Sequence, residues 1–386
     1  YLSIDENTGV ITLNSAPDYE DPKDQNSDGI YNLIINVSDS ELNTSEEFTI
    51  TIQDVNLPAI KLGQTIIGSY RDLYFPSASI DSDGSTISVG SPAGAPSSVG
   101  LAKVYKYINN SSWSQMDSVK LSGLNQGDQF GKIVELSGDG TRLASFGKLS
   151  SSNSNTLYVL PYELIDDTWR RFFDDPDGYG NIKEVTYSYG VIRDVDISSD
   201  GKIVSYVSEQ DAGGGNRLGK ISIYDLSADA WRETITGSPS FLIRDSDVSS
   251  DGKFLVVGAD ARKVKILEWN GTNYVIKGSQ IAKSELSMFG YEGLSINGAG
   301  NVVAVSAYDA SKSDSTASEG YGAVLIFEWD ESLSDWKQKG STIWGDNLGD
   351  KLGSSGDVSL SSNGKRFAIS STLNNSGGTG AGQVKV

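Results

Sequence analysis

The chain has 386 residues, with 51 acidic side chains against 31 basic ones, a net charge of −20 and 37% hydrophobic composition. That length and apolar content suffice for two domains with cores of their own, and the charge repels nucleic acid and anionic membrane, excluding both as main partners. Cysteine and histidine are absent. Thiol catalysis is therefore excluded, and the commonest general base and the commonest zinc ligand are missing. A metal bound here is a hard cation held by oxygen, calcium above all. No apolar run is long enough for a membrane-spanning helix. The chain opens in mid-pattern at Tyr1 without a signal peptide, which reads as a fragment of something longer.

The segment Tyr1–Asn56 predicts strands and turns. Two β-rich runs, Tyr1–Ile4 and Val10–Leu13, flank a turn at Asn7–Gly9, and an acidic loop runs from Asp18 to Gly29. Two alternating strands follow. One puts Tyr31, Leu33, Ile35 and Val37 on one face, the other Phe48, Ile50 and Ile52, as in half of a β-sandwich.

The run Ile4-Asp5…Thr8-Gly9-Val10-Ile11, then Asp18-Tyr19-Glu20, the strand end Ser38-Asp39 and the closing Asp54-Val55-Asn56 resemble the second half of a cadherin repeat. The resemblance implies that this partial domain, residues 1–56, binds calcium. Asp18, Glu20, Asp54 and Asn56 would serve a downstream boundary and Asp39 an upstream one. Calcium takes six to eight oxygens, and clustered carboxylates repel one another unless a cation lies between them. The family's next residue is Asp, whereas Leu57 stands here, so one ligand of the downstream site is lost.

Residues 57–60 read as a linker, and from Lys61 to Val386 the sequence repeats itself. Turn glycines recur at Gly84, Gly140, Gly201, Gly252, Gly300 and Gly364, with gaps of 56, 61, 51, 48 and 64 residues. Each is flanked by short apolar strands, as in Val195/Ile197 before Gly201, so each copy predicts a hairpin turned at Asp-Gly or its equivalent. A third strand follows (KVKILEW from Lys263 is typical), then a fourth opened by an aromatic: Trp113, Trp169, Trp231, Tyr274 or Trp336. Four strands in about 56 residues is the arithmetic of a propeller blade, with the aromatics filling the space between blades. The last copy stops after its third strand. Lys61–Tyr70 matches the fourth-strand region Lys337–Asp346, and so is a candidate to close a six-bladed ring; the alternative is a truncated seven-bladed one. The fold class expected is thus all-β, a partial cadherin-like sandwich followed by a propeller over residues 61–386.

Phe130-Gly131…Leu136-Ser137-Gly138-Asp139-Gly140, Phe289-Gly290 and Val89-Gly90-Ser91-Pro92 make the copies similar to FG-GAP propeller repeats, found in integrin alpha subunits and microbial surface proteins. The third copy also looks like the repeats of TolB-type propellers. Calcium-binding members of the FG-GAP family carry Asp-x-Asp-x-Asp-Gly loops. Only the first copy approaches this, with Asp81 and Asp83, while Asp139, Asp200 and Asp251 read as turn formers.

No catalytic constellation stands out. Arginine is scattered apart from Arg170-Arg171, and no carboxylate pair is distinct from the surface acids. Long loops at Asp174–Gly180 and Asp309–Gly322 are places to look for function, with Asp174, Asp175 and Asp177 a candidate calcium loop against the plainer reading of a solvated turn. The expectation is a fragment of a secreted or cell-surface protein of bacterial origin. It is a calcium-dependent adhesion or ligand-binding element that takes a cell-surface protein or glycan through variable loops, without membrane insertion of its own. The rivals are a polysaccharide hydrolase or lyase on the same scaffold and a purely structural spacer.

Overall fold

The computed structural model describes residues 2–5, 8–13, 30–38, 41–51, 62–67, 77–92, 99–109, 111–116, 121–123, 129–151, 154–172, 182–183, 191–213, 216–238, 241–259, 262–312, 320–354, 358–378 and 381–386. These divide into two compact units, Tyr1–Leu62 and Gly63–Val386. Every regular element among them is a β-strand, and no helix is long and apolar enough to cross a membrane, which says nothing of β-barrels.

The first unit holds two antiparallel ladders. β1 (Leu2–Ile4) pairs with β2 (Ile11–Leu13), and β3 (Ile30–Ser38) pairs with β4 (Asn43–Thr51). The expected alternation is present in β3, where Tyr31, Leu33 and Ile35 are half-buried and their neighbours exposed; Tyr31 lies opposite Ile50 and Leu33 opposite Phe48. The candidate calcium ligands Asp18, Glu20, Asp39, Asp54 and Asn56 lie outside the described residues, as do Leu57 and the Asp174–Asp177 loop.

The second unit is a six-bladed propeller. Blade 1 runs from the axis outward as β5 (Ser77–Ile80), β6 (Thr86–Ser91), β7 (Leu101–Ile108) and β8 (Ser112–Gln115), with β9 (Leu121–Ser122) also on β7. Blade 2 is β10 (Val134–Leu136), β11 (Arg142–Ser151), β12 (Ser154–Ile165) and β13 (Thr168–Arg171), with β14 (Ile182–Lys183) on β12. Blade 3 is β15 (Val191–Ile197), β16 (Ile203–Gly213), β17 (Asn216–Asp225) and β18 (Ala230–Thr236). Blade 4 is β19 (Ile243–Val248), β20 (Phe254–Ala259), β21 (Lys263–Trp269) and β22 (Tyr274–Ile276), with β23 (Ile281–Ala282) on β21. Blade 5 is β24 (Phe289–Ile296), β25 (Val302–Ala307), β26 (Ala323–Asp330) and β27 (Asp335–Trp344). Blade 6 has three strands among the described residues, β28 (Val358–Leu360), β29 (Phe367–Ser371) and β30 (Gln383–Lys385).

The hairpin between the first two strands of each blade differs in detail from a two-residue Asp-Gly turn, which needs positive φ at both central residues. Here only the glycine is left-handed (Gly201 at φ 69°, Gly252 at 67°) and the loop has four residues, closed by Ser198 N–H to Ile203 O and Ser249 N–H to Phe254 O. Side chains fill it. Ser249 Oγ donates to Asp251 and accepts from Phe254 N–H at 2.9 Å, and Asp251 accepts from Lys253 N–H at 2.9 Å. Ser198 with Asp200, and Ser137 with Asp139, repeat this. Asp139, Asp200 and Asp251 are thus turn formers. In blade 1, Asp81 takes the serine's place, accepting from Thr86 N–H at 3.0 Å, while Asp83 accepts from Ser85 N–H at 2.8 Å.

A lone four-stranded sheet cannot bury both faces, and stacking supplies the cover. Five apolar clusters fill the five seams between successive blades. One example packs Ile203, Val207, Ile221 and Ile223 of blade 3 against Ile243, Val248, Leu255 and Val257 of blade 4. Trp169 is fully buried and Trp336 packs on a cluster, whereas Trp231 is partly exposed and stands edge-on to Tyr206 and Tyr224. Phe130-Gly131 marks a crossing where backbones nearly touch: a Cβ on Gly131 would overlap Leu101 O. The hairpin turns are also linked, Ser82 N–H to Gly138 O, Gly138 N–H to Ser199 O, Asp200 N–H to Ser250 O, Ser250 N–H to Gly298 O and Gly298 N–H to Ser362 O.

The seam between blades 6 and 1 is different. Ile80 is 59% exposed and Val384 68% exposed. The segment expected to close the ring forms no strand over its described residues, 62–67. It does occupy a telling place. Gly63 lies over Trp113 and Tyr107, with Gln64 bonded to both N–H and C=O of Trp113. Gly278, at the end of the fourth strand of blade 4, lies the same way over Trp329 and Trp336 of blade 5. So Gly63 stands on blade 1 where the preceding blade's fourth strand belongs, without the strand pairing.

Candidate functional site: the axial cavity and an arginine cluster

The innermost strand of each blade has one edge of N–H and C=O groups that its own sheet leaves unpaired. Those groups cannot be left dry and unpaired. The inward side chain of one blade caps the next. Ser77 and Ser79 accept from Val134 and Leu136 N–H, Asp194 from Ser246 N–H, Asp245 and Asp247 from Leu294 and Ile296 N–H, and Ser295 from Leu360 N–H, all at 2.8–3.3 Å. Counted back from the turn glycines, Ser79, Glu135, Asp196, Asp247, Ser295 and Ser359 occupy the same position in successive blades. They line a cavity of about 790 Å³ that touches all six blades and extends into the seam between blades 6 and 1 at Ile87, Ile369 and Val384.

Five carboxyls share that cavity with serines and aliphatic side chains. Burial pushes Glu135 up to about 8, with the Asp194 and Asp247 charges adding to it. Burial likewise raises Asp247 to about 7 and holds Asp194, Asp196 and Asp245 above the ordinary range. Like charges in one cavity cannot all ionise, so the ring retains protons near neutrality. Among the described residues no group of three or more carboxylates is arranged to hold a metal ion. Asp245 and Asp247, close in sequence to Asp251, cap the next blade's strand as scaffold.

In a four-stranded meander, the second-to-third-strand loops and the blade-to-blade connections lie on the face opposite the Ser-x-Asp-Gly turns. This loop face carries the starts of β15, β17 and β19 and the end of β16. There the arginines, expected to be scattered, prove to converge. Arg193 and Arg244 are the extra residues of β-bulges at Ile192/Asp194 and Ile243/Asp245. A bulge re-aims its side chain, and both turn onto Glu209 near the end of β16. Glu209 Oε2 accepts from Arg193 Nε at 2.7 Å and from Arg244 Nη1 at 2.6 Å, and its Oε1 accepts from Arg217 Nη1 at 2.8 Å. The Glu209 side chain is 3% exposed, while the arginines grade outward from Arg244 at 11% through Arg193 at 33% to Arg217 at 60%. Hydrogen bonds from Arg193 and Arg217, with the arginine charges, outweigh burial and hold the Glu209 carboxyl below its usual range. Arg244 lies 5.2 Å above the Tyr291 ring, which meets Tyr308 edge-on at 6.2 Å. Glu292, raised by burial and opposed by Arg193 and Arg244, completes the cluster.

The signal for this site was in the sequence as a repeated pentapeptide, Ile192-Arg193-Asp194-Val195-Asp196 and Ile243-Arg244-Asp245-Ser246-Asp247. Its copies are 51 residues apart, like their turn glycines. Glu209 and Arg217 carry no comparable signal.

No protein-family model matches the chain, and no curated protein sequence does. Among solved structures it is similar to Kuenenia stuttgartiensis hydrazine synthase, at 16% identity and a TM-score of 0.49 over 80% of this chain and 78% of that one. It is similar to a protein from Lactobacillus plantarum at 10% identity, TM-score 0.47 and 78% coverage of each chain. A third is the β-propeller domain of Myceliophteria thermophila Cps50 (Swd1), at 9% identity and TM-score 0.42 over 81% of this chain and 96% of that one. At such identity these likenesses concern shape only. The propeller assignment rests on the sheets themselves.

Proposed function

We propose that the chain is a ligand-capturing element of a secreted or cell-surface protein, with the propeller's loop face as the capture surface and calcium stiffening the first unit. The observation that carries this reading is an arginine cluster drawn from two blades on the loop face. Rigid blades present the groups, which is how binding sites are commonly positioned. The partner expected is a cell-surface glycan or protein. The adhesive role and the calcium rest on the resemblance to cadherin and FG-GAP repeats.

A combined glycan and protein array tests the reading: reproducible hits support it, and a blank array across both classes defeats it. A catalytic reading has one observation in its favour, since proton-bearing carboxyls such as Glu135 and Asp247 are what a general acid requires. Against it, Asp247 is engaged by Ile296 N–H at 2.8 Å and Ser295 Oγ at 3.0 Å. Release of reducing sugar from polysaccharide would favour the enzyme.

A further inference from the structure

The structure assigns Asn270, on the exposed hairpin between β21 and β22, as a site of spontaneous deamidation driven by the backbone nitrogen of Gly271. The chain holds three Asn-Gly pairs, Asn270-Gly271, Asn297-Gly298 and Asn363-Gly364. Glycine after asparagine favours this chemistry because no Cβ hinders the approach of its nitrogen to the side-chain carbonyl. The sequence treats the three pairs alike, and the fold separates them.

Solvent base takes the glycine N–H proton, and the nitrogen attacks asparagine Cγ. The new N–Cγ bond closes a five-membered imide as the Cγ–Nδ2 bond breaks and ammonia leaves. Water then opens the imide at either carbonyl, giving aspartate or isoaspartate, so one water is consumed for each ammonia released. The attacking nitrogen must first be free of any acceptor. Gly298 N–H donates to Ser362 O at 2.9 Å and Gly364 N–H to Ser361 O at 2.8 Å. The first bond links the turns of blades 5 and 6 and the second closes the turn of blade 6, so freeing either nitrogen opens a link or a turn. Gly271 N–H has no acceptor among the described residues.

The side chains differ in the same direction. Asn297 is 2% exposed, with Oδ1 bonded to Asn301 N–H and Val302 N–H and Nδ2 to Asn301 Oδ1. Asn363 is exposed, so at that pair the engaged glycine N–H alone decides. Asn270, Gly271, Thr272 and Asn273 are all exposed, and a Cβ at Gly271 would meet nothing, so base and water reach the reacting atoms. Asn270 Oδ1 also accepts from Thr272 N–H at 2.9 Å and Asn273 N–H at 3.0 Å. Those donors lie where the carbonyl oxygen gathers charge as the nitrogen attacks.

The hairpin stands beside the Ser-x-Asp-Gly turn of its blade, where Trp269 N–H donates to Lys253 O at 2.8 Å and Tyr274 Oη to Gly252 O at 2.6 Å. It lies at the opposite end of the blade from Arg244, so the modification leaves the capture surface untouched. Isoaspartate adds a methylene to the backbone inside the turn that Asn270 N–H and Asn273 O close at 3.2 Å.

Incubation of the folded protein in mildly alkaline buffer, followed by peptide mapping with mass spectrometry, tests the proposal. Asn270 should convert roughly tenfold faster than Asn297 or Asn363, since freeing a bonded N–H costs on the order of one hydrogen bond. Both aspartate and isoaspartate should form, carrying one labelled oxygen when the water is isotopically labelled. In urea-unfolded protein the three sites should convert at similar rates. Gly271→Ala, with its folding checked by melting temperature, should slow conversion at Asn270. Equal rates in the folded protein, faster conversion at Asn297 or Asn363, aspartate without isoaspartate, or Gly271→Ala reacting like the parent overturns the proposal. So does the same ranking of sites in the unfolded chain, which would place the difference in the sequence.

Discussion

At the scale of single residues, the same residue type carries different burdens at different places. Gly252 and Gly271 are both left-handed, at φ 67° and 98°. A Cβ on Gly252 would overlap Ile203 Cγ1, whereas one on Gly271 meets nothing. Gly271→Ala should cost about 1 kcal/mol, the backbone term alone. Gly252→Ala should cost about 3 kcal/mol through added overpacking. Thermal or urea unfolding of the two variants checks the difference, and equal losses would contradict the close blade contact. Glu209→Ala would leave three arginines facing one another without their acid and should destabilise by about 3 kcal/mol. These turn positions were legible because Ser-x-Asp-Gly is local, every partner lying within five residues. The arginine cluster was not, because its contacts span up to 35 residues and depend on bulges that redirect two side chains.

At the scale of the element, the innermost strands decide how the ring responds to pH. Asp247 at about 7 and Glu135 at about 8 lie above the ordinary carboxyl range, so the folded state holds these protons more tightly than the unfolded chain does. Their contribution is whole below about pH 4 and is lost as pH rises through the folded values. Carboxyls held low, Glu209, Asp139 and Asp200 among them, act oppositely and lose their contribution as pH falls below the ordinary range. Stability should therefore peak in mild acid, with the melting temperature falling by several degrees between about pH 5.5 and about pH 8.5. Asp196→Asn combined with Asp247→Asn should flatten that alkaline fall. A flat profile in the parent would contradict the crowded channel. Strand order was legible from apolar spacing alone. The task of the inward acids, capping the neighbouring blade, was not legible, because it depends on ring geometry that no single repeat contains.

At the scale of the whole molecule, periodicity revealed six repeats, because each turns at the same glycine and buries the same positions, and left open whether they form a six-bladed ring or a truncated seven-bladed one. It did not reveal that five seams are filled and the sixth is marked by exposed Ile80 and Val384. That depends on pairing between distant parts of the chain. Calcium belongs to this scale too. If it stiffens the first unit, chelation should lower a melting temperature or enlarge the radius of gyration in solution scattering, and no change in either sinks the calcium reading. The most direct test of the account's central claim, that the arginine-bearing loop face captures ligand, is hydrogen exchange measured with and without a glycan or protein that the array returns. Protection should concentrate in the segments around Arg193, Glu209, Arg217 and Arg244 and spare the turns at Gly140, Gly201 and Gly252. Protection of those turns, with the arginine segments unchanged, would contradict it.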